Sequence, residues 1–388
     1  GIGANATVFS WVRGVVMTPL PGVPDAGQIV ALETLTPTGE MIDTSYPDYR
    51  DFRDQSRLFD GMIIFKDRPL NLGEGAESRR IWALMVSGNY FDVLGIKPAL
   101  GRFFSAEEQQ EKPGAYPVAV ISHGLWRRYF NSDPSVAGKT IKLNRHLFTV
   151  IGVAPAEFPG TINGLAFDAY VPLMMQQTLS GGRNWLESRD SRPLYPLGKL
   201  KPGVTIEQAR DEIRGIAATL ARSFPDTNQG LSATLLPIRN AKRGAQSVLS
   251  NLLLILMAVG GVVFLIVCAN VANLQLARAT ARQREFGVRI AMGASATRVI
   301  RQLLTEGLLV SLLGGAAGAL LAVSMTDAIK LFVPVTDLPI LLTTPIDAQV
   351  LMFTVALSVL SGVLFGLAPA LHAASGRVSE SLQESGRR

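Results

Sequence analysis

Residues 278–302 read RATARQREFGVRIAMGASATRVIRQ and lie between two long apolar segments. The stretch holds six arginines and a single acid, Glu285. Its first part predicts a helix, because Glu285 and Arg289 are four residues apart with the acid first, the favourable order for a helical ion pair. Gly293 suits a left-handed helix end, and Ser295 suits the N-cap of a second helix that follows directly. The pattern predicts a basic helix, a tight corner and a second helix, an element able to pass a push from a soluble partner into a membrane.

The arginines also have a simpler explanation. Short loops on the cytoplasmic side of a membrane are enriched in Lys and Arg whatever the loop does. On the charge pattern alone, both explanations stay open. Both require the flanking apolar segments to be membrane spans.

Three apolar stretches are long enough to cross a bilayer, which takes about 20 apolar residues. The predicted spans lie near residues 249–272, 304–326 and 348–371. The first of them reaches about 36 Å as a helix. Residues 1–12 are uncharged and apolar but too short to cross, so we interpret residues 1–17 as the outer half of a truncated first span.

The distribution of arginine predicts the orientation of these spans. Residues 327–347 hold one Lys, no Arg and three prolines, whereas residues 278–302 are rich in arginine and three more arginines lie in the tail, residues 377–388. Positive charge favours the cytoplasmic side. The sequence therefore predicts a multi-pass membrane protein with the 278–302 segment and the tail in the cytoplasm, and with residues 18–246 outside the cell membrane.

Residues 18–246 alternate short strands and helices, which predicts one extracytoplasmic α+β domain large enough to bury its own core. Its clearest helix is Thr205–Phe224, where Thr205 and Gln208 form a capping box ahead of an apolar stripe. Thr140–Leu143 and Leu147–Val153 predict a hairpin. The other predicted elements are strands at Ile29–Thr36, Arg80–Ser87, Val118–Ser122 and Leu231–Ile238, and helices at Tyr46–Phe59, Asn89–Leu94 and Gly124–Phe130.

Glycines four residues apart in two of the spans predict close helix packing, at Gly314 and Gly318 and at Gly362 and Gly366. Glycine is also common in membrane helices for other reasons. For each pair taken alone, the two explanations stay open.

No pattern in the chain predicts a catalytic, metal or nucleic-acid site. The lone Cys268 excludes an intrachain disulfide, and the scattered histidines His123, His146 and His372 lack metal-ligand spacing. Gly138-Lys139-Thr140 looks like the end of a phosphate loop, but Asp133 stands where the motif needs glycine, and the strand-like IKLN follows. Basic residues are not interleaved with aromatics, which argues against nucleic acid as a partner.

Several stretches resemble one family. REFGVRIAMGAS followed by VIRQLLTEGLLVSLLGGAAG resembles the FtsX-like permease domain of MacB/FtsX-type ABC transporters. VSGNYFDVLGIKPALGRFF, and the run from VAVISHGLW to FTVIGVAP, resemble the MacB-like periplasmic core domain. Asn144-Arg145 departs from the Asn-Gly expected in the hairpin, which leaves the turn type open. GIGANATVFS resembles the first span of such permeases, and SLQESGRR resembles the linker of the duplicated-permease subgroup.

The resemblance implies a permease subunit of the bacterial inner membrane, with an extracytoplasmic core domain at 18–246, an α-helical permease domain at 247–376 and a cytoplasmic tail or linker. It implies a cytoplasmic ABC-type ATPase that carries ATP and Mg, and no cofactor on this chain. It also implies a second permease copy, as a homodimer or an internal duplicate, and contact with membrane lipid.

In that family the 278–302 segment contains the coupling helix that contacts the ATPase. We therefore expect Phe286 to be the apolar anchor and the arginines to steer the partner; the full set of expected coupling residues is Arg282, Arg284, Glu285, Phe286, Arg289, Gly293 and Ser295. The alternative is a regulatory membrane scaffold that activates an extracytoplasmic partner such as a cell-wall hydrolase. A membrane-anchored outer enzyme would need a polar catalytic cluster in residues 29–246, and none is visible. The sequence does not identify a cargo.

Overall fold

The structure is a computed structural model that describes residues 2–12, 20–75, 78–162, 164–182, 184–241, 245–281, 292, 296–332 and 350–363. The described residues form two compact units. The α+β unit holds the described residues from 20 to 248, and the helical unit holds residues 2–12 together with those from 249 onwards.

The helices are α1 Ile2–Val12, α2 Tyr46–Gln55, α3 Tyr90–Leu94, α4 His123–Phe130, α5 Gln176–Leu179, α6 Ile206–Ser223, α7 Pro225–Asn228, α8 Ala245–Ala281, α9 Ala296–Phe332 and α10 Val350–Val363. The strands are β1 Ile29–Leu35, β2 Met41–Ile42, β3 Phe59–Leu72, β4 Arg79–Val86, β5 Leu100–Gly101, β6 Val118–Ile121, β7 Thr140–Leu143, β8 His146–Val153, β9 Ala169–Pro172, β10 Tyr195–Leu200 and β11 Ser232–Pro237.

The strands of the α+β unit join in one mixed sheet. Its order is β11-β1-β10-β3-β4-β9-β6-β8-β5, with β2 paired to β1, and with β7 paired to β3 and β8. The pairs β4–β9 and β6–β8 are parallel, and the other named pairs are antiparallel.

The sheet has a hydrophobic core on each face. Successive side chains of a strand point to opposite faces. In β3, Met62 and Ile64 therefore belong to one buried cluster, and Ile63 and Phe65 to the other. The first cluster includes the apolar stripe of α6, and the second is built around a group of aromatic rings that contains Tyr90 and Tyr170.

Most predicted elements with a strong local signal are confirmed. Helix α6 begins after Thr205, and both hydrogen bonds of the predicted capping box with Gln208 are present. Ala209, Ile213 and Leu220 of its stripe are buried. Strand β6, helix α4 and the β7–β8 hairpin lie where the sequence predicted them, within a residue or two. Helix α9 begins at Ala296, directly after the predicted N-cap position.

The prediction of a helix at Tyr46–Phe59 is wrong at its C-terminal end. Helix α2 ends at Gln55, because the backbone of Ser56 is extended while its N–H caps the Phe52 carbonyl. Phe59 instead begins β3, a strand that the sequence analysis missed. Charged residues and Pro69 make this segment a poor match to a strand pattern. Pro69 is tolerated because it pairs with β4 and lies beyond Phe65, where the pairing of β3 with β10 ends. Strands β9 and β10 were also missed.

The hairpin turn has the conformation expected of Asn-Gly despite the arginine. β7 and β8 are joined by two residues, Asn144 and Arg145, with φ of 49° and 72°. Two left-handed residues are typical of a type I′ turn. The Asn144 side chain accepts a bond from the Asn71 amide at 2.8 Å and donates to the Leu179 carbonyl at 3.1 Å. These contacts hold Arg145 in a conformation that favours glycine.

Candidate functional site

Helix α8 is long, apolar and largely uncovered. The most apolar 18 residues of its stretch Leu254–Arg278 have a mean hydropathy of 2.7, and 11% of them are buried. Among the described residues it is the one helix long and apolar enough to cross a membrane; Leu304–Leu320 and Val350–Val363 are shorter apolar stretches. A core helix of a soluble protein would be buried by its neighbours, whereas Ile255 and Leu265 are 61% and 59% exposed.

Helices α9 and α10 meet along a seam of glycines and serines. A Cβ on Gly315 would overlap the hydroxyl of Ser358, and a Cβ on Gly362 would lie 2.5 Å from the hydroxyl of Ser311. Each helix thus places a serine over a glycine of the other. Ser311 and Ser358 are buried, and each donates its hydroxyl to a carbonyl of its own helix, so the seam leaves no polar group unpaired at these positions. Such contacts let helix backbones approach closely.

Helix α1 contacts α9 and α10 in the same unit. A Cβ on Gly3 would lie 2.5 Å from the carbonyl oxygen of Gly318. The rings of Phe9 and Phe353 stack with their centroids 4.2 Å apart. α8 joins the group where Leu357 of α10 packs on its buried Phe264 and Cys268. Helices α1 and α10 thus carry much of the packing inside the helical unit.

The predicted coupling residues Arg282, Arg284, Glu285, Phe286, Arg289, Gly293 and Ser295 lie outside the described residues. On either side of these residues, helix α8 ends at Ala281 and helix α9 begins at Ala296. Their role in coupling stays a prediction.

Of the predicted packing glycines, Gly318 and Gly362 make the close approaches described above, and Gly366 lies outside the described residues. A Cβ on Gly314 would meet nothing within 4 Å in this chain, because Gly315 is the one that faces α10. A packing role for the four predicted glycines stays a prediction. The contacts of Gly3 and Gly315 were not predicted; for Gly315, the Gly314-Gly315 doublet is the signal in the sequence.

A buried ion-pair cluster ties three segments of the α+β unit together. The Asp48 carboxylate of α2 is 2% exposed and accepts bonds from Arg189 at 2.5 Å and from Arg192, both in the loop before β10. Asn228 of α7 donates to the same carboxylate at 3.0 Å. The Arg189 guanidinium also lies 3.6 Å from the centroid of the Phe224 ring. Because each charge is paired, the cluster is suited to holding the fold together rather than to binding a ligand.

A polar cavity of about 180 Å³ lies beside α2. Arg53 and Glu111 line it and form an ion pair. Burial, together with the Glu111 carboxylate, raises the pKa of Tyr46 well above its ordinary value.

The described side chains that most resembled catalytic or metal-binding groups either have structural roles or do not cluster with other such groups. Ser122 Oγ accepts a bond from the Leu125 amide at 3.0 Å and so caps α4. Thr140 begins strand β7, so no helix N-terminus follows Gly138, as the sequence analysis predicted. Across the described ranges, no three His, Cys, Asp or Glu side chains come together as a metal site would require.

Two family models match the chain. The MacB-like periplasmic core domain matches residues 1–216, more than half of the chain, and the FtsX-like permease C-terminal model matches residues 257–377. The chain belongs to the MacB/FtsX-type permease family. Permeases of this family are inner-membrane proteins with a periplasmic domain, and they work with a cytoplasmic ABC ATPase. The family therefore implies a membrane domain for the helical unit and a periplasmic α+β domain.

Named relatives agree with the family. The macrolide export ATP-binding/permease protein MacB of Salmonella paratyphi A is 28% identical over 341 residues, which cover 84% of this chain and 48% of that protein. MacB of Escherichia coli K12 is 28% identical over 292 residues, which cover 74% of this chain and 41% of that protein. The chain thus spans about half the length of the curated relatives it matches.

A solved structure is also similar. The periplasmic region of MacB from Actinobacillus actinomycetemcomitans is 16% identical, covers 58% of this chain and 92% of its own length, and gives a TM-score of 0.39.

Proposed function

We propose that this MacB/FtsX-type permease couples ATP hydrolysis by a separate cytoplasmic ATPase to motion of its periplasmic domain. The observation that carries the proposal is the arginine-rich stretch 278–302, which joins the apolar helices α8 and α9. A partner that moves this stretch pulls on both helices at once. ATP and Mg would be bound by the ATPase, and this chain would act as a transport subunit without an ATPase site of its own.

The proposed contact has an apolar centre and a charged rim. Phe286 is the apolar anchor, since aromatic residues and arginines commonly dominate such interfaces. Arg282, Arg284 and Arg289 steer and orient the partner. Glu285 orients Arg289, and Gly293 with Ser295 forms the corner that leads into α9. A second permease copy would supply the other half of a symmetric assembly, with lipid around it. Because the curated relatives are named for macrolide export, a macrolide is the first cargo to test.

The test separates docking on a protein from resting on lipid. A helix held on anionic lipid responds mainly to total charge, whereas a docking site responds to shape. We expect Phe286→Ala to reduce co-purification with the cytoplasmic ABC ATPase of the proposed complex, and to reduce ATP turnover of that complex. Arg282→Lys keeps the charge and should be milder.

A triple Arg282, Arg284 and Arg289→Ala variant should also lose the ATPase. Its matched control is a triple Ala variant of Arg127, Arg214 and Arg222, which are exposed residues of the α+β unit. Unchanged co-purification and turnover in both Phe286→Ala and the first triple variant would reject the coupling assignment.

A further inference from the structure

Asn5 is a buried polar side chain on the short apolar helix α1. It is 6% exposed, and its Nδ2 donates to the carbonyl oxygen of Gly260 in α8 at 3.0 Å. A buried amide without a partner is costly in an apolar layer. The contact therefore gives α1 a directional link to α8 in addition to packing.

Gly260 is shaped for this contact. A Cβ at position 260 would lie 2.8 Å from Asn5 Oδ1, so the Asn5 amide would have to move out of its present position. A Cβ on the neighbouring Gly261 would have nothing within 4 Å. Of the two glycines, 260 is thus the one that the link requires, and 261 is a natural control.

The position of the link in the chain gives it a function. The α+β unit is inserted in the sequence between α1 and α8, so these two helices are its entry and exit. If α1 and α8 moved independently, a displacement of α8 would partly separate the two ends of the α+β unit instead of moving the unit. If they move together, the same displacement moves both ends.

We infer that Asn5 is a positioning residue of the transport cycle: its hydrogen bond to Gly260 makes α1 and α8 move as one pair, so that both ends of the periplasmic domain are displaced together. The inference rests on the proposed function and names a residue of the same machinery.

The experiment uses the full chain in complex with its ATPase, in a Cys268→Ser background. A fluorescent label on an exposed residue of α6, introduced by Arg222→Cys, reports motion of the periplasmic domain when ATP is added. We expect Asn5→Leu and Gly260→Ala to lower the ATP-dependent fluorescence change by about threefold or more, the size of effect that losing one hydrogen bond between membrane helices can have. ATP turnover and ATPase binding should persist. Gly261→Ala should behave like the parent.

A covalent rescue distinguishes positioning from a merely structural role. A Cβ on Gly260 would lie 3.4 Å from Asn5 Cγ, so Asn5→Cys with Gly260→Cys places two thiols within reach of a disulfide. For this variant the label is a dye coupled to an unnatural amino acid at position 222. With its thiols reduced, the double variant should lack the ATP-dependent fluorescence change. With the disulfide formed, the fluorescence change should return.

The outcomes are distinct. An unchanged signal in Asn5→Leu, or a signal abolished by oxidation while ATP turnover continues, overturns the inference, because the helices then either need no link or must separate. A parent chain that fails to bind the ATPase overturns the proposed function itself. Loss in the reduced form with recovery on oxidation supports the link.

Discussion

At the scale of single residues, the α+β unit depends on a few fully paired charges. Asp48 receives bonds from Arg189, Arg192 and Asn228, all contributed by segments more than 130 residues later in the chain. The loop before β10 is therefore fixed to α2 by charge-assisted bonds. Removing one partner of such a buried cluster costs far more than the cluster contributes in net stability, because the remaining charges are left without compensation.

We expect Asp48→Ala to lower the free energy of unfolding by about 3–5 kcal/mol, because it removes the acidic partner of the largely buried Arg192 and one of the two acidic partners of Arg189. Asp51→Ala is the matched control: Asp51 also pairs with Arg189 but its side chain is 29% exposed, so the cost should be about 0–1 kcal/mol. Denaturant unfolding of the purified chain in detergent, followed by tryptophan fluorescence, measures both. Equal effects would show that the cluster behaves as an ordinary surface ion pair.

Glu108 predicts a pH dependence. Arg102 donates to both of its carboxylate oxygens, at 2.6 and 2.9 Å, and the Ser105 amide donates at 2.7 Å. These bonds, that from Arg102 first, lower the pKa of Glu108. A lowered pKa in the folded state adds stability above the unfolded-state pKa of about 4.3, and this stability is lost as pH falls through the folded pKa.

Glu108→Gln should therefore melt at a lower temperature than the parent at pH 7, and the difference should shrink as the pH falls toward and below about 4. Melting temperatures of both proteins in detergent between neutral and acid pH give the comparison. A difference that stays constant across this range would mean that the carboxylate charge is not what stabilises the loop.

At the scale of elements, α9 and α10 are joined by the reciprocal serine-over-glycine seam. The two contacts, Gly315 with Ser358 and Gly362 with Ser311, run in opposite directions along the two helices, as expected for an antiparallel pair. A methyl group on Gly362 would lie 2.9 Å from the Leu308 backbone, and one on Gly315 would overlap the Ser358 side chain. The seam therefore leaves little tolerance for larger side chains.

Gly362→Ala and Gly315→Ala should each cost about 1–3 kcal/mol, because the added methyl overpacks the seam. Gly314→Ala should be near neutral for the melting temperature of the chain, since its Cβ would face open space. Thermal unfolding in detergent compares the three. If Gly314→Leu impairs assembly without lowering the melting temperature, its surface contacts a second copy rather than α10. Equal melting temperatures for all three alanine variants would contradict the seam.

At the scale of the whole molecule, the two units differ in how they treat apolar surface. The α+β unit buries a core on each face of its sheet, whereas the outer surface of α8 remains apolar and exposed, as suits a lipid or protein surround. Family membership assigns the first unit to the periplasm and the second to the inner membrane. The arginine pattern predicts the same orientation.

Two exposed alanines test the orientation. In a Cys268→Ser background, Ala218→Cys on α6 should react with an impermeant thiol reagent added to spheroplasts, and Ala281→Cys at the end of α8 should react only after the membrane is opened. Both residues are small, helical and exposed, so access to the reagent is the main difference between them. The reverse labelling pattern would reject the topology and the coupling proposal together.

The sequence by itself determined what depends on neighbouring residues. The capping box and stripe of α6, the hairpin of β7 and β8, and the start of α9 follow from spacings of two to four residues, and the apolar runs and the arginine asymmetry follow from composition. The same local reasoning singled out residues 278–302 as the coupling segment, and that assignment stays a prediction.

The tertiary structure decided what depends on partners far apart in the chain. Strand β3 exists because β4 and β10 pair with it, although its own residues read poorly as a strand. Asp48 can be buried only because Arg189 and Arg192 pair with it. Asn5 joins α1 to α8 only because Gly260 has no side chain and leaves room for the Asn5 amide beside its carbonyl. A buried polar group is stabilised by whichever hydrogen-bond partner the fold brings near it. Sequence spacing carries no information about a partner 255 residues away.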